Sequence, residues 1–441
     1  MKNKQVNQEP KTEAVYLAAS AMKRVVKPLS KATAYWVIII LVTMMTGRLV
    51  ANKGSLARAV QPLVWRVKWG WHRAHRSLER GKVQIEEMLE QANFWCISSL
   101  EVEEIKIGEK QRQVIALDTS VIARMRSGKK SALQAKEYWT KVGKAVKCNV
   151  VAVASKIVMI KGIRLGLPQK IKMTKSAESA VEEVFTEVEE VFTELRKTEN
   201  KKLIVVDAGI ASKEEFSRAS EKEALLGRLR INQKMRTEPI KKCGRGRPSI
   251  HGQIIHPGAE LVEIKEDQKI ILESPEGEIT LRRYNKLHFQ EYPEVKIDVL
   301  RVDDPKYKKP LLVGTTAREL TTEEIYSAYP MRWPIETLFF IGQDSCAMDS
   351  PRAWTKNAIE ARVGLSLLAS CLLQVISASC EPVAVGPWDL KAKPSAGRMA
   401  KFLDLYSHSF LELSLEGLAL RNYSKIKNNS FFNNLRNIWT A

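Results

Sequence analysis

The sequence has few of the residues that build zinc clusters and disulfide frameworks. Its 441 residues include six cysteines and six histidines, and no two cysteines stand in a C-x-x-C pair. This scarcity argues against a thiolate zinc cluster and against a disulfide framework, and it favours a reducing cytoplasm. The N-terminus is polar and lacks the apolar core that is typical of a signal peptide.

The most strongly apolar run of the sequence is short. This run, Tyr35–Met45, has about half of the roughly 20 residues that a membrane-spanning helix needs. We therefore interpret it as a buried helix, the alternative being a membrane segment. Hydrophobic residues still make up 44% of the chain, which excludes wholesale disorder. The length allows about two to four domains.

Positive charge is what the sequence has in excess. It contains 71 Lys and Arg residues against 50 Asp and Glu residues, a formal net charge of +21. Such a surplus favours a polyanionic partner, with nucleic acid first and an anionic membrane surface second.

Part of this charge lies in a region, residues 15–100, that we predict to be helical with breaks at proline and glycine. Within it, Arg48–Lys82 holds nine Lys or Arg residues, one acid and three interleaved tryptophans. Cations grouped in this way are suited to contact DNA phosphates, so we expect Arg66, Arg73 and Arg76 to bind DNA. The alternative is a solvated basic face whose tryptophans belong to the core.

After residue 110 the pattern becomes that of an α/β protein. Short β-branched runs predict strands at Val114–Asp118, Asn149–Ile160, Ile163–Leu167 and Lys201–Asp207. A duplicated heptad at Val181–Glu194 predicts an amphipathic helix on a sheet, because two heptads are too few for a coiled coil.

A second β-rich stretch covers residues 255–315, and helices follow it. The predicted strands are Glu260–Ile264, Ile270–Glu273, Ile279–Tyr284, Val295–Val302 and Leu311–Thr315. The predicted helices are Thr321–Tyr329, which begins with a capping signature, Ile335–Ile341 and Thr355–Ile376.

Three acidic residues stand out by their positions. Asp118 and Asp207 each end a predicted strand, where an open α/β sheet presents catalytic side chains. Glu336 lies in an otherwise apolar helix. A carboxylate in such surroundings is costly unless it is hydrogen-bonded or metal-bound. For Glu336 the alternative is a structural ion pair with Arg332.

Together these residues resemble a known family. The segments ALDTS at Asp118 and VVDAG at Asp207, with the spacing Tyr329-x2-Arg332-x3-Glu336, are similar to the acidic triad of DDE transposases. The likeness is greatest to bacterial insertion-sequence transposases that carry a Tyr-Arg-Glu-Lys signature.

The resemblance covers about residues 30–380 and departs from the signature at one position. The signature lysine is expected seven residues after Glu336, and this chain has Gln343 there. The family places that positive charge on transposon-end DNA. Either another Lys or Arg substitutes for it, or binding of the ends is weakened.

The resemblance implies an α/β fold: an RNase H-like core interrupted by a β-rich insertion, with helical N-terminal and C-terminal regions. The long, β-rich interval between Asp207 and Glu336 agrees with such an insertion. We therefore expect a helical DNA-binding region (1–110), the first part of the core (111–215), the insertion (216–315), the second part of the core (316–380), and a linker with a basic C-terminal region (381–441).

The resemblance also implies an activity, namely metal-dependent DNA cleavage and strand transfer at the ends of an insertion sequence. Asp118, Asp207 and Glu336 would be the catalytic residues and the ligands of two Mg²⁺ ions, with Mn²⁺ as a substitute. Tyr329 and Arg332 would contact the DNA.

The expected partner is double-stranded DNA, both transposon ends and target, with no membrane involved. The oligomeric state is left undecided, with a homodimer in the DNA complex as one option. The expected location is the bacterial cytoplasm, at the nucleoid. Two alternatives remain: a catalytically decayed or domesticated transposase that only binds DNA, and a non-transposing nuclease on the same fold.

A further basic motif precedes the β-rich stretch. Gly244-Arg245-Gly246-Arg247-Pro248 looks like the core of an AT-hook, whose arginines enter a narrow A·T-rich minor groove. We expect Arg245 and Arg247 to contact DNA, the alternative being a flexible basic linker. Nearby cysteine and histidine residues lack the paired spacing of a zinc finger.

Overall fold

The computed structural model describes residues 10–64, 70–124, 132–133, 135–139, 143–173, 191, 193, 201–239, 249–259, 262, 264–384 and 393–418. They fall into two compact units. The helical unit comprises the described residues within Met1–Leu100, Ser127–Ala132 and Phe339–Ala441, and the sheet unit those within Glu101–Arg126 and Leu133–Leu338. Nearly all of the duplicated heptad lies outside the described residues.

The described helices follow one another along the chain as α1 (Pro10–Val25), α2 (Lys31–Met45), α3 (Arg48–Ala51), α4 (Leu56–Val60), α5 (Gly70–Glu79), α6 (Ile85–Ser99), α7 (Lys213–Arg218), α8 (Thr322–Ala328), α9 (Trp333–Asp344), α10 (Lys356–Ser379), α11 (Ala396–Leu405) and α12 (Ser407–Leu415). A short 3₁₀ turn, Tyr329–Arg332, joins α8 to α9.

Helix α2 confirms the prediction of a buried helix in the helical unit. The Ser30 hydroxyl caps its first turn by accepting a hydrogen bond from the backbone N–H of Thr33. Twelve of its fifteen residues are buried. Gly47 follows with φ +69°, a left-handed conformation that glycine adopts without strain and that ends the run.

Helix α10 is the described helix that is long and apolar enough to cross a membrane by length and composition. Its most apolar 18-residue window is 94% buried inside the structure. Burial on all sides is typical of a core helix. Its buried Ser366 hydroxyl is hydrogen-bonded to backbone carbonyl oxygens, that of Arg362 at 2.9 Å within the helix and that of Cys346 at 3.0 Å outside it.

The described strands of the sheet unit belong to one large mixed sheet. Their bounds are β1 (Val102–Glu104), β2 (Lys106–Ile107), β3 (Arg112–Ala123), β4 (Ala135–Trp139), β5 (Lys144–Ile160), β6 (Ile163–Met173), β7 (Lys202–Val206), β8 (Glu223–Leu229), β9 (Met235–Arg236), β10 (Ile254–Ile255), β11 (Gln268–Ser274), β12 (Gly277–Phe289), β13 (Tyr292–Asp303) and β14 (Leu311–Thr315). The main order is β1-β5-β3-β7-β8-β14-β13-β12-β9-β10.

Five neighbouring strands give the core its topology. β6 pairs antiparallel with β5, β5 pairs antiparallel with β3, and β3, β7 and β8 run parallel. Three antiparallel strands followed by two parallel ones form the RNase H-like arrangement that the resemblance implies. β7 is buried along its whole length, as expected for a central strand covered on both faces.

The predicted end of the strand at Val114–Asp118 is wrong. β3 does not stop at Asp118 but continues to Ala123. The reason is its second neighbour: antiparallel pairing with β5 goes on from Asp118↔Val153 to Ala123↔Cys148, whereas parallel pairing with β7 ends at Leu117↔Val206. Asp118 therefore lies at the point where pairing with β7 ends while pairing with β5 continues.

The β-rich stretch continues the core sheet. β8 pairs parallel with β7 on one side and antiparallel with β14 on the other, and β13 and β12 follow. A tight hairpin joins β11 to β12 at Ser274↔Gly277. The predicted strand Glu260–Ile264 lies partly outside the described residues, and its described positions, Val262 and Ile264, are not in a strand.

Candidate active site

Asp118 and Asp207 lie side by side because of the register between β3 and β7. Leu117 pairs with Val206, so the next residue on each strand is an aspartate at the same level of the sheet. After Asp207 the chain turns at once, since its carbonyl oxygen accepts the backbone N–H groups of Ile210 (3.0 Å) and Ala211 (2.9 Å). The parallel pairing of two buried strands thus brings together two acids that are far apart in sequence.

Glu336 reaches the site from the helices that follow the sheet. A capping box at the start of α8, formed by Thr321 and Glu324, fixes where that helix begins. The 3₁₀ turn then carries Tyr329 and Arg332, and Glu336 lies in the first turn of α9. A carboxylate is favourable there because the N-terminal end of a helix carries partial positive charge.

Arg332 links two of the acids. Its side chain is 9% exposed, its Nη1 donates to Asp118 Oδ2 at 3.1 Å, and its Nη2 forms an ion pair with Glu336 Oε1. The other oxygen of Asp118 accepts the backbone N–H of Thr119 at 2.8 Å. The Nε atom of Arg332 is buried and has no hydrogen-bond partner among the described residues.

Asp207 has two different neighbours. The hydroxyl of Tyr329 donates to its Oδ1 at 3.3 Å, and Arg228 Nη1 lies 4.0 Å from the same oxygen. Arg228 follows Gly227 on β8, and Gly227 pairs with Val206 of β7, which puts Arg228 beside Asp207. Its side chain is half-exposed. Sequence reasoning missed Arg228, because a single arginine at the end of an apolar run carries no distinctive signal.

Charge and burial act together on Asp118. Burial raises the pKa of its carboxyl to about 6, and the negative charges of Asp207 and Glu336 act in the same direction. The Thr119 N–H and the Arg332 guanidinium oppose this shift. Burial likewise raises the pKa of the Tyr329 hydroxyl, with Asp207 adding to it. Asp207 and Glu336 are therefore both close enough to Asp118 to act on it electrostatically.

The donor chemistry of the three acids suits magnesium, which prefers carboxylate oxygens and retains some of its waters. In the geometry of the described residues, however, no group of three or more His, Cys, Asp or Glu side chains is arranged to hold a metal ion. The cation that contacts Asp118 and Glu336 in this structure is Arg332. Asp118, Asp207 and Glu336 would be the residues that hold a metal.

Helix α5 of the helical unit carries two of the expected DNA-binding residues. Arg73 and Arg76 are exposed, whereas Gly70, Ala74 and Leu78 are buried. The helix therefore turns an apolar stripe inward and presents its cations to solvent, as the spacing of an amphipathic helix requires.

Three other predicted site residues, Arg66, Arg245 and Arg247, lie outside the described residues. Gln343, where the signature has lysine, is part of α9. Of the histidines near the basic motif, His251 contacts His288 through Nδ1 and Nε2 at 3.1 Å.

Comparison with known families supports the resemblance. A family model described as a transposase DDE domain matches residues 109–372, more than half of the chain. The matched segment contains all three acids, Tyr329 and Arg332. A comparison with curated proteins finds no match.

Proposed function

The chain belongs to the transposase DDE domain family, and on that premise we propose that it cuts DNA at the ends of an insertion sequence and joins those ends to target DNA. Asp118, Asp207 and Glu336 are the proposed catalytic residues. The observation that carries the proposal is the register Leu117↔Val206, which sets two of these acids side by side, while Arg332 connects Asp118 to the third.

Two divalent ions held by these carboxylates would activate the attacking oxygen and stabilise the leaving oxygen of the phosphoryl transfer. Mg²⁺ is the proposed ion, with Mn²⁺ as a substitute. The protein's own contribution is placement, because holding the scissile phosphate in the reactive geometry lowers the barrier. We assign that role to Tyr329 and Arg332, which contact Asp207 and Asp118.

Binding of the DNA duplex would come from other residues. The exposed Arg73 and Arg76 on α5 are the proposed phosphate contacts, together with Arg66, because cations on a solvent-facing helix displace the counterions of DNA. For Arg245 and Arg247 we propose minor-groove contacts in A·T-rich DNA. We also propose, from the family resemblance, the five domains given by the sequence. The same resemblance is the basis for proposing a homodimer in the DNA complex and a location at the bacterial nucleoid.

A second candidate function is DNA binding without cleavage, as in a decayed or domesticated transposase. Gln343 favours it, because it removes a cation from the signature. The retention of all three acids favours an active enzyme. A nuclease that cuts without joining would use the same carboxylates and would differ in its products.

The test is a strand-transfer assay with the full chain, Mg²⁺, the element's own flanking ends and a target plasmid. We expect cleaved and joined products from the wild type and none from Glu336→Gln. Glu323→Gln is the matched control, because Glu323 is an exposed acid in the first turn of the neighbouring helix α8. Cleavage without joining would indicate the nuclease, and DNA binding without cleavage would indicate the binding protein.

A further inference from the structure

We propose that Arg332 is an internal counter-ion that occupies the acidic site in the absence of DNA and opposes the binding of divalent ions there. This inference rests on the proposed function, since it concerns the same three acids. It goes beyond that function by giving Arg332 a role before DNA is bound, and it links the occupancy of the site to the arrival of DNA.

The first observation is the geometry of the guanidinium group. One terminal nitrogen binds Asp118 at 3.1 Å and the other binds Glu336, so a single cation serves two of the three proposed metal ligands. A planar fork of donors matches carboxylate geometry better than a point charge does. A metal ion that bound the same oxygens would compete with these hydrogen bonds and would be repelled by the guanidinium charge.

The second observation is that Arg332 is not fully satisfied in this position. Its Nε–H group is buried and lacks a hydrogen-bond partner among the described residues. A buried unsatisfied donor destabilises the arrangement that contains it. A DNA phosphate offers several acceptor oxygens in a geometry that a guanidinium binds well. Transfer of Arg332 to a phosphate would therefore satisfy the arginine and release the carboxylates.

The third observation concerns the surroundings of the acids. Asp207 accepts a hydrogen bond from the Tyr329 hydroxyl rather than from Arg332. A second arginine, the half-exposed Arg228, has its Nη1 atom 4.0 Å from Asp207 Oδ1. Removal of Arg228 would take one positive charge from the site and leave the bridge between Asp118 and Glu336 in place. The chain thus provides a matched control for charge alone.

The experiment measures Mn²⁺ binding to the full chain by electron paramagnetic resonance, which distinguishes free from bound Mn²⁺. Wild type, Arg332→Met and Arg228→Met are titrated without DNA. Couplings between two ligands of one protein are typically about 5- to 150-fold, so we expect Arg332→Met to bind Mn²⁺ about tenfold more tightly than the wild type. Arg228→Met should differ from the wild type by less than about threefold.

A second arm adds a duplex that carries the element's ends. The Mn²⁺ affinity of the wild type should approach that of Arg332→Met, because the phosphates now hold the guanidinium. Equal Mn²⁺ affinities of the wild type and Arg332→Met without DNA would overturn the inference. So would an equal tightening by Arg228→Met, since the effect would then be one of net charge.

Two further variants keep the test decisive. Arg332→Lys retains a cation but cannot bind both carboxylates in a fork, so its Mn²⁺ affinity should lie between those of the wild type and Arg332→Met. It carries the test if Arg332→Met does not fold. Asp118→Asn separates this inference from the proposed function. If it leaves Mn²⁺ binding unchanged with and without DNA, the proposed metal site itself fails. If it weakens binding while Arg332→Met does not tighten it, only the counter-ion role is overturned.

Discussion

Two sets of arginines, one in each unit of this protein, have opposite surroundings. In the sheet unit, Arg332 is buried against two carboxylates, whereas in the helical unit Arg73 and Arg76 are exposed on α5. A buried guanidinium depends on its partners, because an uncompensated buried charge is strongly destabilising. An exposed one is screened by salt and exchanges its partners easily. Changes in the sheet unit should therefore alter the chemistry, and changes on α5 should alter DNA affinity.

The largest effect is expected from the buried acids. Asp118→Ala removes a proposed metal ligand, and metal stabilisation of the transition state is worth several kcal/mol. At about 1.4 kcal/mol per factor of ten, cleavage should fall by about 10³-fold or more. DNA affinity should stay within about threefold, because phosphate contacts lie elsewhere. Cleavage and gel-shift assays on one duplex measure both, and the same separation is expected for Asp207→Ala. Wild-type cleavage by either variant would exclude that acid from the site.

The next effect tests the buried arginine itself. Arg332→Ala should slow cleavage by about 10²-fold, since a small misplacement of the reacting phosphate has a cost of that order. Its DNA affinity should fall by less than about threefold. Single-turnover cleavage and a binding isotherm on the same duplex give the two numbers. If the DNA affinity fell as much as the cleavage rate, Arg332 would act mainly by binding DNA phosphate. It would then not differ in role from the exposed arginines of α5.

The exposed arginines should show the opposite signature. Joint replacement of Arg66, Arg73 and Arg76 by alanine should weaken binding to all DNA sequences alike. The slope of log K against log salt concentration should become flatter by about 0.9 for each DNA phosphate that the variant no longer neutralises. Binding isotherms at several salt concentrations measure it, with Glu86→Gln on the neighbouring helix α6 as a surface control. An unchanged slope would show that this region is a solvated face.

The smallest effect concerns a half-buried carboxyl group whose Oε1 atom is buried and has no hydrogen-bond partner among the described residues. This is Glu412 on α12, and burial raises its pKa from 4.5 to about 7. The folded chain therefore keeps a proton that the unfolded chain releases, so the free energy of unfolding decreases as pH rises from about 4.5 to about 7. We expect Glu412→Gln to be more stable than the wild type at pH 8, by only about 1–2 kcal/mol, because solvent screening of the half-buried side chain reduces the effect of the full pKa shift.

Urea unfolding followed by circular dichroism at pH 5 and pH 8 checks this. The variant and the wild type should differ less at pH 5, where Glu412 is still protonated in the folded state. An equal difference at both pH values would mean that the substitution acts through packing rather than through the charge.

Several features of this protein could be predicted from sequence because they depend on local patterns. The buried helix α2 follows from an apolar run, and the strands β5, β7 and β14 follow from β-branched residues. The start of α8 follows from a capping signature that the structure contains. The motifs at Asp118, Asp207 and Glu336 carried the resemblance to DDE transposases, and the family match confirms it at the level of the DDE domain.

Other features depend on which strands become neighbours, and no local pattern encodes that. β3 extends beyond Asp118 because β5 continues to pair with it, and Arg228 comes beside Asp207 because β8 runs parallel to β7. The sequence of each strand is compatible with several partners and registers. The burial of Arg332 between two acids likewise depends on tertiary structure, because it requires the 3₁₀ turn that carries Arg332 to lie against β3.

The amino-acid sequence by itself thus determined the basic character and the α/β class of the protein, and its motifs carried the family resemblance that singles out the three acids as proposed site residues. These depend on residue type and spacing along the chain. The tertiary structure alone decided that Asp118 and Asp207 are adjacent, that Arg332 contacts both Asp118 and Glu336, and that Arg228 stands beside Asp207. Residues that are remote in sequence become neighbours only when the strands pair. The stability of that pairing depends on contacts throughout the sheet and not on any single segment.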